Sequence, residues 1–282
     1  MSGETNLSDS VVSNKQQTEN VGVNDTEVER QIRAKSRRSF LGGGLVVVSG
    51  FLGWRWLISR RDDQGIGWVF RRSHELNEQL SRDYFQQARL ASTFPRTLAK
   101  EPRVNGGEGM SEDFEPNEWQ LTLMGAYDQT EPLMITLADI KKLPRVEMVT
   151  ELKCIEGWSE IVHWGGARLA DFVAKYPPMT RSGDAPDVQN KPNDLMEYLS
   201  IETLDGSYYI GLEMASALHP QTLLCYEMNG KPLESDHGAP LRLVIPVKYG
   251  IKSIERIGAI TYANQRPADY WAERGYDWYA GH

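Results

Sequence analysis

Apolar and polar positions along the chain change their period several times, and each change marks an element. Leu41 to Ile58 is an apolar run in which Arg55 is the only charged residue, about as long as the shortest membrane-spanning helices. The segment SHELNEQLSRDYFQQARLAS carries apolar residues at Leu76, Leu80, Phe85, Ala88 and Leu90, a spacing that predicts a helix. EWQLTLMGAY alternates and ends at a glycine, which predicts a strand and a turn. ITLADIKKLP predicts a short helix opened by Thr136 and closed by Pro144. VEMVTELKCIEGWS reads as a strand running into a loop. ARLADFVAKYPP reads as an amphipathic helix through Leu169, Phe172 and Val173, stopped by Pro177-Pro178. Residues 180–194 form a polar loop. EYLSIETLDGSYYIGL predicts a hairpin turning at Asp205-Gly206. APLRLVIPVKYGIKSIERIGAITY predicts two more strands around a Tyr249-Gly250 corner. Strands dominate, short helices are scattered among them, and no βαβ alternation recurs. The expected class is α+β, a mixed, strand-rich single domain.

Charge divides the chain. Residues 101–282 hold 28 acidic and 16 basic side chains, a net of −12, whereas residues 30–100 hold 14 basic and 5 acidic, a net of +9. An acidic body excludes nucleic acid as the expected partner, because phosphate backbones require a basic surface. The basic stretch flanks the apolar run, which points to a membrane or to export. Residues 1–35 lack apolar periodicity at their start and are expected to be a disordered tail. Ser36-Arg37-Arg38-Ser39-Phe40-Leu41 resembles a twin-arginine export signal, and residues 36–60 are expected to act as that signal or as a membrane anchor. No small-residue cleavage site follows directly, so an uncleaved anchor with the body outside the cytoplasm, periplasmic in a bacterium, is the expectation. Residues 61–101 are expected to be a linker containing a helix, and residues 102–282 the domain.

Two cysteines, Cys154 and Cys225, raise the question of chemistry. In an exported chain they could form a disulfide. Cys154 could also be an inert buried thiol, a nucleophile paired with His163, His219 or His237, or a metal ligand. Glu156 lies two residues on, so in extended backbone both side chains share a face, and a carboxylate there could move protons beside a thiolate-bound metal. No two histidines stand at zinc-ligand spacing. The chain holds no P-loop, GxGxxG, HExxH or CxxC.

Three separated stretches, KCIEGWSEIVHWGGARLADFV, CYEMNGKPLESDHGAPLRLVIPVKYGIKSIERI and YWAERGYDWYAG, occur in an order that resembles the sulfite-oxidase-like molybdopterin oxidoreductases, in particular bacterial protein-methionine-sulfoxide reductase catalytic subunits. The resemblance runs from about Pro102 onward. It implies a domain of the sulfite oxidase molybdopterin-binding type and a molybdenum-molybdopterin cofactor whose metal is ligated by Cys154. It implies cofactor contacts at Asn105, Thr203, His237, Arg242, Lys252 and Ser253, with Cys154 and Glu156 at the reacting centre. Glu255 stands where that family's phosphate-contacting stretch ends in lysine. No segment resembling the immunoglobulin-like or haem domain of animal sulfite oxidases follows, which leaves the oligomeric state open. The implied activity is oxygen-atom transfer, reducing an S-oxide or N-oxide of a small molecule, with electrons from a membrane haem or quinol-linked subunit. The alternatives are a sulfite dehydrogenase-like oxidation and a cofactor-free exported binding module with a Cys154–Cys225 disulfide.

Overall fold

The computed structural model describes residues 25–60, 66–104, 107–110 and 118–282. Asn105, expected at the cofactor, and the first 24 residues lie outside the described residues. The chain divides into two compact units, residues 1–59 and 60–282. Among its described residues the first unit holds one helix, α1 (Asp25–Ile58), whose stretch Glu29–Ile58 is long and apolar enough to cross a membrane by length and composition. The helix takes up residues 25–35, the last eleven of the stretch expected to be disordered.

The second unit opens with α2 (Trp68–Tyr84). There follow β1 (Gln120–Met124), β2 (Leu133–Thr136), α3 (Leu137–Lys141), β3 (Arg145–Lys153), β4 (Ser159–Arg168), α4 (Leu169–Lys175), β5 (Tyr198–Thr203), β6 (Tyr209–Glu213), α5 (Met214–Ala217), β7 (Leu223–Met228), β8 (Lys231–Pro232), β9 (Arg242–Val244), β10 (Ile257–Ala263) and α6 (Tyr270–Glu273). One sheet runs β2-β1-β10-β5-β6, with β1 parallel to β10; the other runs β3-β4-β7-β8, with β9 also paired to β7. The two strands expected around the Tyr249-Gly250 corner therefore belong to different sheets, and the corner carries the chain from one to the other.

Local chemistry explains the elements. Thr136 caps α3 reciprocally with Asp139, each side chain accepting from the other's backbone N–H. The β5–β6 hairpin turns at Asp205-Gly206 as its sequence predicts, with Gly206 at φ +67. Between the sheets lies the main core, including Leu121, Leu199, Ile201, Phe172, Leu224 and Ile260. A second cluster, including Val162, Trp164, Cys225 and Val244, covers the other face of the β4–β7–β9 sheet. β7 is thus buried on both faces.

Within the stretch expected to be a linker, residues 91–100 are bound to the body. Thr93 bridges Thr150 of β3. The N–H groups of Phe94 and Lys100 donate to the carbonyls of Val149 and Ile161. The side chain of Gln221 exchanges two hydrogen bonds with the backbone of Ala91. This arm covers what would otherwise be the open edge of β3.

Candidate molybdopterin site

β3 and β4 pair in register as far as Lys153 opposite Ser159. The five residues between them make the hairpin tip. The Cys154 N–H donates to the Trp158 carbonyl, the Gly157 N–H donates to the Cys154 carbonyl, and Gly157 sits at φ +88, in the left-handed region that favours glycine. Cys154 and Glu156 are therefore neighbours on a turn, not alternate residues of an extended strand. The tip still brings both to the same place, a cleft of about 340 Å³. Cys154 is buried at its wall. Glu156 is exposed and accepts a hydrogen bond from the Trp158 indole at 3.1 Å.

Across the cleft stands Arg242 of β9, 3% exposed. Its guanidinium lies over the Trp164 ring at 5.0 Å. Nη1 pairs with Glu255 at 2.7 Å and donates to the His237 carbonyl at 3.1 Å, and Nη2 reaches the Ser253 carbonyl at 3.3 Å. Nε is buried with no partner, and a buried N–H in that state costs about 1–3 kcal/mol unless a ligand takes it. Ser253 also lines the cleft, and its hydroxyl accepts from the Ile245 N–H. Arg103, Glu108, Trp158, Tyr208, Trp271 and Tyr276 complete the part of the wall that bears on chemistry. Burial, and secondarily the charge of Asp269, pushes the Tyr208 phenol far above its ordinary value, so it is a neutral donor, here to the Ile251 carbonyl.

Three residues that the resemblance placed at the cofactor do not line the cleft. Thr203 is buried in the β5–β6 turn, its hydroxyl donating to Asp205 at 2.7 Å and accepting from the Tyr208 N–H. His237 meets the cleft only through its carbonyl's bond to Arg242, and its Nε2 lies 3.4 Å from Glu101. Lys252 is 1% exposed and bonded to Asp269 at 2.5 Å and to the Gly211 carbonyl at 2.8 Å. The sequence reading missed Arg103, Tyr208 and the Arg242–Glu255 pair as cleft groups. The YWAERGYDWYAG motif could have drawn attention to Trp271 and Tyr276.

The disulfide is corrected. Both cysteines are free thiols. Cys225 pairs with Gly166, seven residues along β4 from Ser159. That separation is about 23 Å at strand rise, against a Cα–Cα limit near 7 Å for a bridge. Burial drives the Cys225 thiol well above its ordinary pKa, so it is inert. None of His163, His219 and His237 lines the cleft, which removes the activating base a nucleophilic thiol needs.

Residues 108–271 match the oxidoreductase molybdopterin binding domain family. The chain belongs to this family. It is a molybdopterin-dependent oxidoreductase, and its domain has a mixed, strand-rich α+β fold. It is 27% identical to a putative protein-methionine-sulfoxide reductase subunit of Azospira oryzae over 90% of this chain and 91% of that one. It is 32% identical to the protein-methionine-sulfoxide reductase catalytic subunit of Campylobacter jejuni over 61% of this chain and 59% of the relative. It is 31% identical to the corresponding subunit of Ralstonia nicotianae, of which it spans 47%. Among solved structures, the sulfane dehydrogenase SoxCD of Paracoccus pantotrophus aligns with a TM-score of 0.46 at 18% identity, covering 64% of this chain and 46% of that one.

The family's cofactor fits the cleft on the chain's own features. Among the described residues no group of three or more His, Cys, Asp or Glu side chains could hold a metal. A metal here would take one protein ligand, the Cys154 thiolate, and the soft sulfur suits molybdenum already held by other sulfurs. The unpartnered Arg242 Nε, the Ser253 hydroxyl, whose proton no described residue takes, and Arg103 are the groups that would meet the pterin and its phosphate.

Proposed function

We propose that the protein reduces a sulfoxide to a sulfide at this cleft. The observation that carries the reading is the position of Cys154, a free thiol on a hairpin tip facing a cleft with an unpartnered arginine N–H. The relatives in Azospira, Campylobacter and Ralstonia supply the substrate class. The balance is R₂SO + 2e⁻ + 2H⁺ → R₂S + H₂O. The bound molybdenum-pterin supplies two-electron oxygen-atom transfer. The chain does the rest. Cys154 holds the metal. Glu156, oriented by the Trp158 indole, holds a proton at its carboxylate for delivery to the oxygen that leaves as water. Trp158, Trp271 and Tyr276 exclude water and contact the substituents on sulfur, for which aromatic edges are good partners. Arg242, Ser253 and Arg103 hold the cofactor's anionic end, the His237 carbonyl fixes the Arg242 guanidinium, and Asn105 is a further contact that the resemblance implies.

The cleft disfavours sulfite oxidation. An anionic substrate would meet Glu108, Glu156 and Glu255 against two arginines, one of them already neutralised by Glu255. For the front of the chain, the reading is export by the twin-arginine route, retention by α1 as an uncleaved anchor, and electrons drawn from a membrane haem or quinol-linked subunit. The deciding experiment is metal analysis and dye-driven sulfoxide reduction with the full chain from a host that makes the cofactor. About one molybdenum per chain with turnover, both lost in Cys154→Ser, is the expected result. Folded wild-type protein without molybdenum would sink the reading.

A further inference from the structure

An ordinary surface helix buries its apolar stripe and shows charge to water. α2 does the reverse. At 100° per residue, Val69, Leu76, Leu80 and Tyr84 fall within about 80° of arc, and all four are exposed, the last three by 57%, 58% and 62%. No residue of α2 is buried. Its charged side grips the body: Arg71 donates to the Ala272 carbonyl, Glu78 pairs with Arg266 at 2.7 Å, and Arg82 pairs with Glu78 at 2.9 Å and Glu213 at 3.7 Å. The helix is therefore held with its apolar side outward. The exposed surface continues past the helix, because Leu80, Tyr84 and Leu90 also rim a cleft of about 610 Å³.

An outward apolar stripe on a fixed helix needs a partner. Five side chains fall short of the roughly 800 Å² per side of a standard protein interface, but they suffice for shallow seating at a bilayer surface. The flanking residues point the same way. The membrane-capable stretch ends at Ile58, ten positions before Trp68. The junction collects Trp54, Trp56 and Trp68 with Arg55, Arg60, Arg61 and Arg72. Tryptophan favours the headgroup level, and arginine favours anionic lipid.

We infer that α2 lies along the membrane surface, with Val69, Leu76, Leu80 and Tyr84 in the boundary between headgroups and acyl chains. This rests on the reading of α1 as an anchor, and the test separates the two. Full-length protein carrying the photo-crosslinker p-benzoylphenylalanine at Leu76, Leu80, Glu75 or Val47 is irradiated in phosphatidylethanolamine–phosphatidylglycerol vesicles and in native membranes. Unchanged thermal midpoints confirm folding. Lipid adducts at positions 76 and 80, at least about fivefold above position 75, support the inference. Adducts at position 47 but not at 76 or 80 overturn it and leave the anchor standing. Adducts at 76 and 80 without position 47 support it and remove the anchor. Adducts from 76 and 80 to another protein in native membranes, in place of lipid, also overturn it.

Discussion

Two regions of the body hold buried cations in contrasting states. At the cleft, Arg242 keeps one N–H unpartnered and Cys154 stands at a wall open to a ligand. Against the Tyr279 and Trp278 rings respectively, Lys248 and Lys252 are each matched by a carboxylate and a carbonyl: Glu213 and Tyr279 for the first, Asp269 and Gly211 for the second. Both regions place positive charge in low dielectric. Of these three cations only Arg242 has a buried nitrogen with no partner; in the second region the Glu213 carboxylate is held by its ion pair to Lys248 without a hydrogen bond. Buried polar groups left incomplete mark where a ligand belongs, and completed ones mark where the fold is held. Lys252 lies ten residues from Arg242 in sequence, yet it serves the other region.

The largest effect that would sharpen this contrast is at the cleft. Cys154→Ser should lose molybdenum and at least about 100-fold in turnover, while its urea midpoint stays near wild type because the residue sits on a hairpin tip. A variant that kept its metal would erase the distinction between the regions.

Next is the completed pair. Lys252→Met leaves Asp269, 2% exposed, without its cation, and should cost about 3–5 kcal/mol in denaturant unfolding. Lys252→Met with Asp269→Leu should recover most of that loss. Loss of cofactor at full stability would instead return Lys252 to the cleft.

The third test uses pH. Burial is the main cause that lowers the Lys248 pKa, from its ordinary 10.5 to about 8. Between those values the unfolded chain binds more protons than the folded one, so the contribution of Lys248 makes stability rise with pH from about 8 to 10.5. It reaches roughly 3 kcal/mol at most. Lys248→Met should lack this rise when unfolding is compared with wild type across that window.

The smallest concerns the second thiol. Cys225→Ser places a hydroxyl in the fully buried apolar cluster on β7, and should cost about 1–3 kcal/mol with molybdenum content unchanged. If metal falls as well, Cys225 is not the inert counterpart of Cys154.

Elements with clean periodicity were legible. α3 declared its capping box, α4 its apolar stripe and proline stop, and β5–β6 their Asp-Gly turn. β4 and β7 were not, for separate reasons. β4 contains Gly165-Gly166, which reads as a loop. In the fold a Cβ on Gly166 would sit 2.2 Å from the Leu224 carbonyl oxygen, so glycine there permits the close approach of β7. β7 is buried on both faces, so its sequence LLCYEM does not alternate. Cys154, Glu156, Arg242 and Ser253, expected at one site, line one cleft. Glu156 reached it through a turn in place of strand alternation. Thr203 and Lys252 did not reach it: Asp205 and Tyr208 in its own turn claim the Thr203 hydroxyl, and Gly211 and Asp269, distant in sequence, claim the Lys252 ammonium.

The sequence by itself determined the strand-rich α+β class, the apolar segment, the acidic body and the one cysteine next to a turn glycine. These follow from local backbone preference and from the period of apolar residues, which need no knowledge of distant neighbours. Only the tertiary structure decided which of two cysteines faces a cleft, which of two nearby cations is spent on a carboxylate, and that α2 turns its apolar side outward. Each depends on contacts between residues far apart along the chain, such as Lys252 with Asp269, Arg242 with Glu255 and Glu78 with Arg266, and no local pattern encodes which partner arrives.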